Sequence, residues 1–308
     1  MNRDLLSIVA AELDAPVSAE AVAMAEALAG RFHGAEAVLF YGSVLRTGDL
    51  SGVMDFYVLT RAVRPGLRGV AGRVLWPDVS YHELEADGRV LRAKVASMTV
   101  SQFQAAVTGR RIDTTIWTRF VQPAALVWTA SPAVKETVHR AVAEAAVTAA
   151  RFAAAIGPRS GTAEDFWTAL FRQTYAAEFR VERRGREQQI IGADPARYDA
   201  LLPAAWTAGG VAFSRSEEGV LTTELAPRGR AKILSDWRLR RTLGKPLNLA
   251  RLAKAAFTFE GAARYAAWKI ERHTGIAVPL TPWRERHVIL ASPGVFWRLW
   301  QARRRAAP

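Results

Sequence analysis

The chain has 308 residues, half of them hydrophobic, which suggests two domains of roughly 100–200 residues each with a substantial core. The absence of cysteine excludes disulfides, thiolate zinc sites and cysteine nucleophiles, and fits a reducing compartment. The formal net charge of +13 sits at one end: residues 228–308 carry 18 Lys/Arg against 4 Asp/Glu, and residues 1–227 carry 24 against 25, so an anionic surface is the expected partner.

The start, Met1-Asn2-Arg3-Asp4-Leu5-Leu6, has no apolar signal-peptide region and brings an acid in early. No stretch approaches the roughly 20 apolar residues of a membrane-spanning helix. Residues 20–30 predict an alanine-rich amphipathic helix closed by Gly30. An apolar run at 37–41 then ends in Gly42-Ser43. A short polar turn follows, and a second apolar run, 53–59, carries one carboxylate, Asp55. A nucleotidyltransferase core needs this order. One strand delivers a Gly-Ser turn to the phosphates, and the next delivers an acid to the metal.

Gly42 lets backbone approach a phosphate, and the amide and hydroxyl of Ser43 hydrogen-bond phosphate oxygens. Arg46 is placed to reach the same polyphosphate. Met54 and Phe56 are expected to face away from Asp55, because strand side chains alternate. The same residues also fit a plain hairpin with an exposed Asp55. Most nucleotidyltransferases place a second carboxylate two residues on, where this chain has Tyr57.

Further along, 61–72 reads as a basic loop, 74–76 and 90–98 as strands, Ser101 as a helix start and 126–128 as a short strand. Ser131-Pro132 opens a long helix to about Ile156, with Pro at the first helical position. A helix from Thr162 to Phe179 follows, then a charged short strand pair over 180–191 and a looped stretch over 207–230. Residues 249–270 follow helical spacing. This helix fits either packing on the protein or lying on a membrane. Phe296-Trp297-Arg298-Leu299-Trp300 and Arg303-Arg304-Arg305 pair aromatics with snorkelling bases, as at a headgroup boundary, so Trp297, Trp300, Arg303, Arg304 and Arg305 are the expected membrane contacts. No zinc-finger, basic-zipper or RNP signature is present, which ranks nucleic acid well below a lipid surface.

Several segments in order resemble the translocator assembly and maintenance (Tam) family, the mitochondrial-type phosphatidate cytidylyltransferases and their bacterial relatives. They are Tyr41-Gly42-Ser43, Asp55-Phe56-Tyr57-Val58-Leu59, Gly88-Arg89-Val90-Leu91-Arg92-Ala93-Lys94-Val95-Ala96-Ser97, and Trp117 with Thr118-Arg119-Phe120-Val121-Gln122-Pro123. Tyr175-Ala176-Ala177-Glu178-Phe179-Arg180 and Lys254-Ala255-Ala256-Phe257-Thr258 continue the series. Val44 replaces the family's second glycine, Arg92-Ala93-Lys94 its Lys-Tyr-Gly, and Gln122 the Lys before its proline.

The resemblance implies an α+β fold. A nucleotidyltransferase-like α/β domain at 1–130 is followed by a helix-rich winged-helix-like domain at 131–227. A basic amphipathic, membrane-associating helical region occupies 228–308. It also implies magnesium-dependent transfer of CMP from CTP to phosphatidic acid, giving CDP-diacylglycerol and pyrophosphate. The expected place is the inner face of a bacterial cell membrane, as a peripheral cytoplasmic protein.

In this reading Ser43 binds phosphate, Asp55 binds Mg²⁺, and Lys94, Arg119 and Arg180 are the main phosphate cations. Arg46 and Arg92 are further candidates. Glu178 is either a metal-side acid or the partner of Arg180. Asp49, Asp78, Glu83 and Glu85 are the candidates for the missing second carboxylate. Two other readings remain: a nucleotidyltransferase with another acceptor, and a non-catalytic lipid-surface protein on a degenerate nucleotidyltransferase fold.

Overall fold

The computed structural model describes residues 3–63, 75–86, 88–177 and 186–286. Within them the fold is α+β, with a five-stranded mixed sheet. The first part runs α1 (Arg3–Leu13), α2 (Ala19–Arg31), β1 (Ala35–Tyr41), α3 (Ser43–Thr47) and β2 (Met54–Thr60). It continues with β3 (Asp78–Ala86), β4 (Arg89–Thr99), α4 (Val100–Val107), α5 (Thr115–Phe120) and β5 (Ala124–Thr129). The sheet order is β3-β4-β2-β1-β5; β2 and β4 are parallel and every other pair is antiparallel.

Alternation divides the sheet into two faces. Val38, Phe40, Met54, Phe56, Val58, Ala93 and Val95 pack under α2, with Met24, Ala25 and Leu28. Leu39, Tyr57, Leu59, Ala96 and Met98 face the opposite cluster, with α4, α5 and the helices beyond. Met54 and Phe56 therefore do face away from Asp55. Gly30 lies inside α2 instead of closing it, and Phe32 caps the helix. Leu75 and Trp76 precede the strand that begins at Asp78. The next helix is opened by Thr99, not Ser101, through a capping box with Gln102.

The second part runs α6 (Pro132–Ile156), β6 (Ser160–Gly161), α7 (Ala163–Ala177), α8 (Arg186–Gly192), α9 (Pro195–Gly209), β7 (Phe213–Arg215) and β8 (Leu221–Thr223). The Ser131 hydroxyl accepts from the Val134 amide, and Pro132 follows at the first helical position. Alanines let neighbours approach α6 from several sides, so α1, α5, α7, α9 and the next helix all pack on it. Its Phe152 stacks on Trp117 at 5.4 Å and meets Trp237 at 5.5 Å. The hydrophobic cluster is continuous across residue 131. The second sheet is antiparallel, in the order β6-β8-β7. The stretch read as a loop at 207–230 therefore holds a hairpin and the start of a helix. Residues 186–192 are helical, not strand, and 178–185 lie outside the described residues.

The chain ends in α10 (Pro227–Thr258), α11 (Ala262–Thr274) and the short α12 (Pro282–Arg286). Trp237, Arg240 and Gly244 are the buried residues of α10. A Cβ on Gly244 would stand 2.8 Å from the Ala177 carbonyl oxygen. The helix expected over 249–270 is broken at Gly261, whose φ of +78° turns the chain against β3. The Tyr81 amide donates to the Glu260 carbonyl there (2.8 Å). Residues 249–270 contact the protein through Arg251, Lys254 and Tyr265 and keep Leu249, Leu252 and Phe257 exposed. Among the described residues no helix is long and apolar enough to cross a membrane.

Candidate active site

The site begins where β1 and β2 end side by side, with Tyr41 opposite Asp55. Gly42 has φ +95° and ψ −159°, a region that only glycine enters readily. It is also closed to a side chain: a Cβ would lie 2.8 Å from Asp55 Oδ2. The bare backbone of Gly42 and the half-buried Asp55 carboxylate thus share one small space. Ser43 is exposed as the first residue of α3. Val44, the departure from the family's glycine, is 5% exposed and packs into the α2-side core, away from the site.

Parallel pairing puts Lys94 beside Asp55 on the same face. Ala93, the second departure, is buried on the other face. Arg92 and Lys94 share the site face because they are two residues apart. Arg119 comes from α5. Its Nη1 donates to the Tyr57 hydroxyl (3.1 Å), and its guanidinium lies 5.1 Å from the Tyr41 ring centre and 5.9 Å from that of Tyr57. Tyr57 stands where a second carboxylate was looked for, and it holds a cation instead. Gln122 donates to the Thr118 carbonyl (3.1 Å). Trp117 is structural, buried with its indole N–H donating to the Asp113 carbonyl (3.1 Å).

The C-terminal helices reach the same face. On α10, Arg251 donates to Asp113 (2.7 Å) and Thr115, and Lys254 pairs with Asp78. Burial pushes the Asp113 carboxyl up, but Arg251 and Thr115 outweigh it and hold the group below its ordinary value. On α11, Tyr265 packs on Tyr81 (5.5 Å) and Trp268 (6.3 Å). Burial, then the Asp55 charge, raises the Tyr265 hydroxyl, which places α11 within electrostatic reach of Asp55. Arg272 donates to the Ser51 carbonyl (2.8 Å), so α11 spans from β3 to the turn before Asp55.

Arg46 sits half-buried on α3, and its charge is felt at Tyr198 of α9. Arg92 is tied to the sheet edge, near Glu83 (3.7 Å) and 5.8 Å from the Trp268 ring. Glu178, Arg180, Trp297, Trp300, Arg303, Arg304 and Arg305 lie outside the described residues. Of the candidate second acids, Asp49 accepts from the Ser51 amide, Asp78 holds Lys254, and Glu83 accepts from Tyr81 (2.9 Å). Glu85 lies on the edge strand β3. Among the described residues no three His, Cys, Asp or Glu side chains group as a metal site. A single carboxylate still fits Mg²⁺, which takes one or two carboxylates plus substrate phosphates.

Sequence reasoning gave no site role to Tyr57, Arg251 or Tyr265. Only Tyr57 had a readable signal, since two residues beyond Asp55 is the same strand face. No protein-family model and no curated protein matches the chain.

Proposed function

We propose that the protein is a phosphatidate cytidylyltransferase, transferring CMP from CTP to phosphatidic acid at the cytoplasmic face of a bacterial membrane. The observation that carries the reading is the Asp55 carboxylate against the bare backbone of Gly42, with Lys94 beside it and Arg119 held by Tyr57. The mixed sheet with this turn supports a nucleotidyltransferase-like domain. Helices α6, α7, α8 and α9 with a small β6-β8-β7 sheet support a winged-helix-like one. CTP as the donor and phosphatidic acid as the acceptor rest on the family resemblance.

An acceptor phosphate oxygen attacks the α-phosphorus of CTP. The α–β bridging P–O bond breaks, and its electron pair leaves with pyrophosphate. The acceptor is already ionised near neutral pH, so no general base is needed. Asp55 would hold Mg²⁺, which would neutralise phosphate charge. Gly42 and Ser43 cradle the triphosphate, while Lys94 and Arg119 shield one anion from the other.

Pyrophosphate release that needs both CTP and phosphatidic acid tests the reading. A second reading, a non-catalytic lipid-surface protein, draws on Tyr57 standing two residues beyond Asp55, where a nucleotidyltransferase strand usually carries its second carboxylate. It is distinguished by phosphatidate binding without turnover.

A further inference from the structure

The turn that leads from α3 towards Asp55 spans residues 48–53, with Ser51 exposed. Its own backbone bonds are local. The Gly48 amide donates to the Val44 carbonyl (2.8 Å), the Ser51 amide to the Asp49 carboxylate (2.9 Å) and the Gly52 amide to the Asp49 carbonyl (3.4 Å). Leu50 packs at the margin of the α2-side core. Arg272 of α11 reaches the turn from 221 positions away. Its guanidinium donates to the Ser51 carbonyl (2.8 Å) and hydroxyl (3.4 Å), four residues before Asp55.

A row of rings holds Arg272 in turn. Its guanidinium lies 5.3 Å from the Trp268 ring centre, Trp268 stacks with Tyr265 (6.3 Å), and Tyr265 packs on Tyr81 (5.5 Å). The chain entering α11 is fixed to the same strand, since a Cβ on Gly261 would stand 2.6 Å from the Tyr81 carbonyl oxygen. In the sheet Tyr81 lies opposite Lys94, and Lys94 opposite Asp55. The contacts therefore close a circuit. It crosses β3, β4 and β2 through Tyr81, Lys94 and Asp55, follows the chain back to Ser51, and returns through Arg272, Trp268 and Tyr265. A turn with exposed, local bonds opens easily, and a side chain that must sit within a fraction of an ångström needs support from outside its own loop.

We infer that Arg272 is a positioning residue, which holds the 48–53 turn so that the Asp55 carboxylate keeps its place beside Gly42 and Lys94. The inference rests on the transferase reading for what Asp55 does. Arg272 acts through Ser51, and Trp268 keeps its guanidinium aimed at the turn.

The test uses the full chain with Arg272→Ala, Arg272→Lys and Arg264→Ala. Arg264 lies on the same helix and pairs with Glu285 (2.9 Å), so its loss reports what a general loosening of α11 does. One readout is kcat for pyrophosphate release with CTP and phosphatidic acid. The other is the affinity for Mn²⁺, standing in for Mg²⁺, by electron paramagnetic resonance with CTP and no phosphatidic acid. Asp55→Ala marks the share of Mn²⁺ binding that this carboxylate provides. In Arg272→Ala kcat should fall about tenfold and Mn²⁺ affinity about fivefold, with both within about twofold in Arg264→Ala. Arg272→Lys keeps a donor for the carbonyl and a cation on Trp268, and should bring both to within about threefold of the unchanged protein.

Unchanged kcat and Mn²⁺ affinity in Arg272→Ala overturn the inference, as do equal losses in Arg264→Ala. No turnover by the unchanged protein, with Asp55-dependent Mn²⁺ binding that still weakens in Arg272→Ala, refutes the transferase reading and leaves the positioning role. Turnover and Mn²⁺ binding that are both insensitive to Arg272 do the reverse.

Discussion

Gly42→Ala separates a strained turn from a site-specific clash. At φ +95° and ψ −159°, a Cβ costs about 1–3 kcal/mol in backbone strain alone. It also meets Asp55 Oδ2 at 2.8 Å and Asp55 Cβ at 3.3 Å, so the carboxylate must move. Gly48 is the control. Its φ is +70°, but nothing lies within 4 Å of an added Cβ. There alanine costs about 1–2 kcal/mol of left-handed strain and nothing else.

At about 2–4 °C per kcal/mol for chains somewhat shorter than this one, Gly48→Ala should melt lower by about 2–8 °C and Gly42→Ala by about 2–12 °C from strain alone. Turnover, read as pyrophosphate release, should separate them. A displacement of about 1 Å at a reacting centre costs about 100-fold, so Gly42→Ala should fall by that order while Gly48→Ala stays within about twofold. Near-normal turnover in a folded Gly42→Ala would refute the placement of the chemistry at this turn.

Tyr57→Phe removes the acceptor for Arg119 but keeps the ring against Phe120 at 5.1 Å. Its kcat should drop about tenfold while stability changes by about 1 kcal/mol, by kinetics and thermal melting. Asp113 has a folded-state value below the ordinary 3.8. Its ionised form therefore stabilises the fold above that pH, and the contribution is lost as pH falls below it through the folded value. Asp113→Asn should be less stable at neutral pH and lose less on acidification, which urea titrations at pH 7 and below pH 3.8 would show. Glu12 pairs with the buried Arg197, and Arg197 also donates to the Val121 carbonyl (3.0 Å). Glu12→Ala should cost about 3–5 kcal/mol by chemical denaturation, because it leaves a buried charge unpaired.

The first half of the site was legible in the sequence because strand periodicity is local. Gly42 and Asp55 bracket one short turn, and two-residue alternation fixes their faces. Helix α6 was equally legible, since Ser131-Pro132 is a local start signal. Strand β3 was not, because Asp78, Ser80, His82, Glu83 and Glu85 make a polar run. It lies at the sheet edge, with β4 as its one neighbouring strand among the described residues, so its pattern lacks the apolar density of a central strand.

Segment 249–270 reads the same on a membrane or on a protein surface, because helical amphipathicity does not name its partner. The pairings of Arg251 with Asp113 and Lys254 with Asp78 span more than a hundred residues, beyond the reach of any local pattern.

The measurement closest to the central claim is pyrophosphate release by the purified protein with Mg²⁺, each of the four nucleoside triphosphates, and phosphatidic acid in mixed micelles. Asp55→Ala is run in parallel. The account expects turnover with CTP alone, strictly dependent on phosphatidic acid and lost in Asp55→Ala. Turnover undiminished in Asp55→Ala, or none with any nucleotide from a folded protein that still binds the lipid, would contradict it.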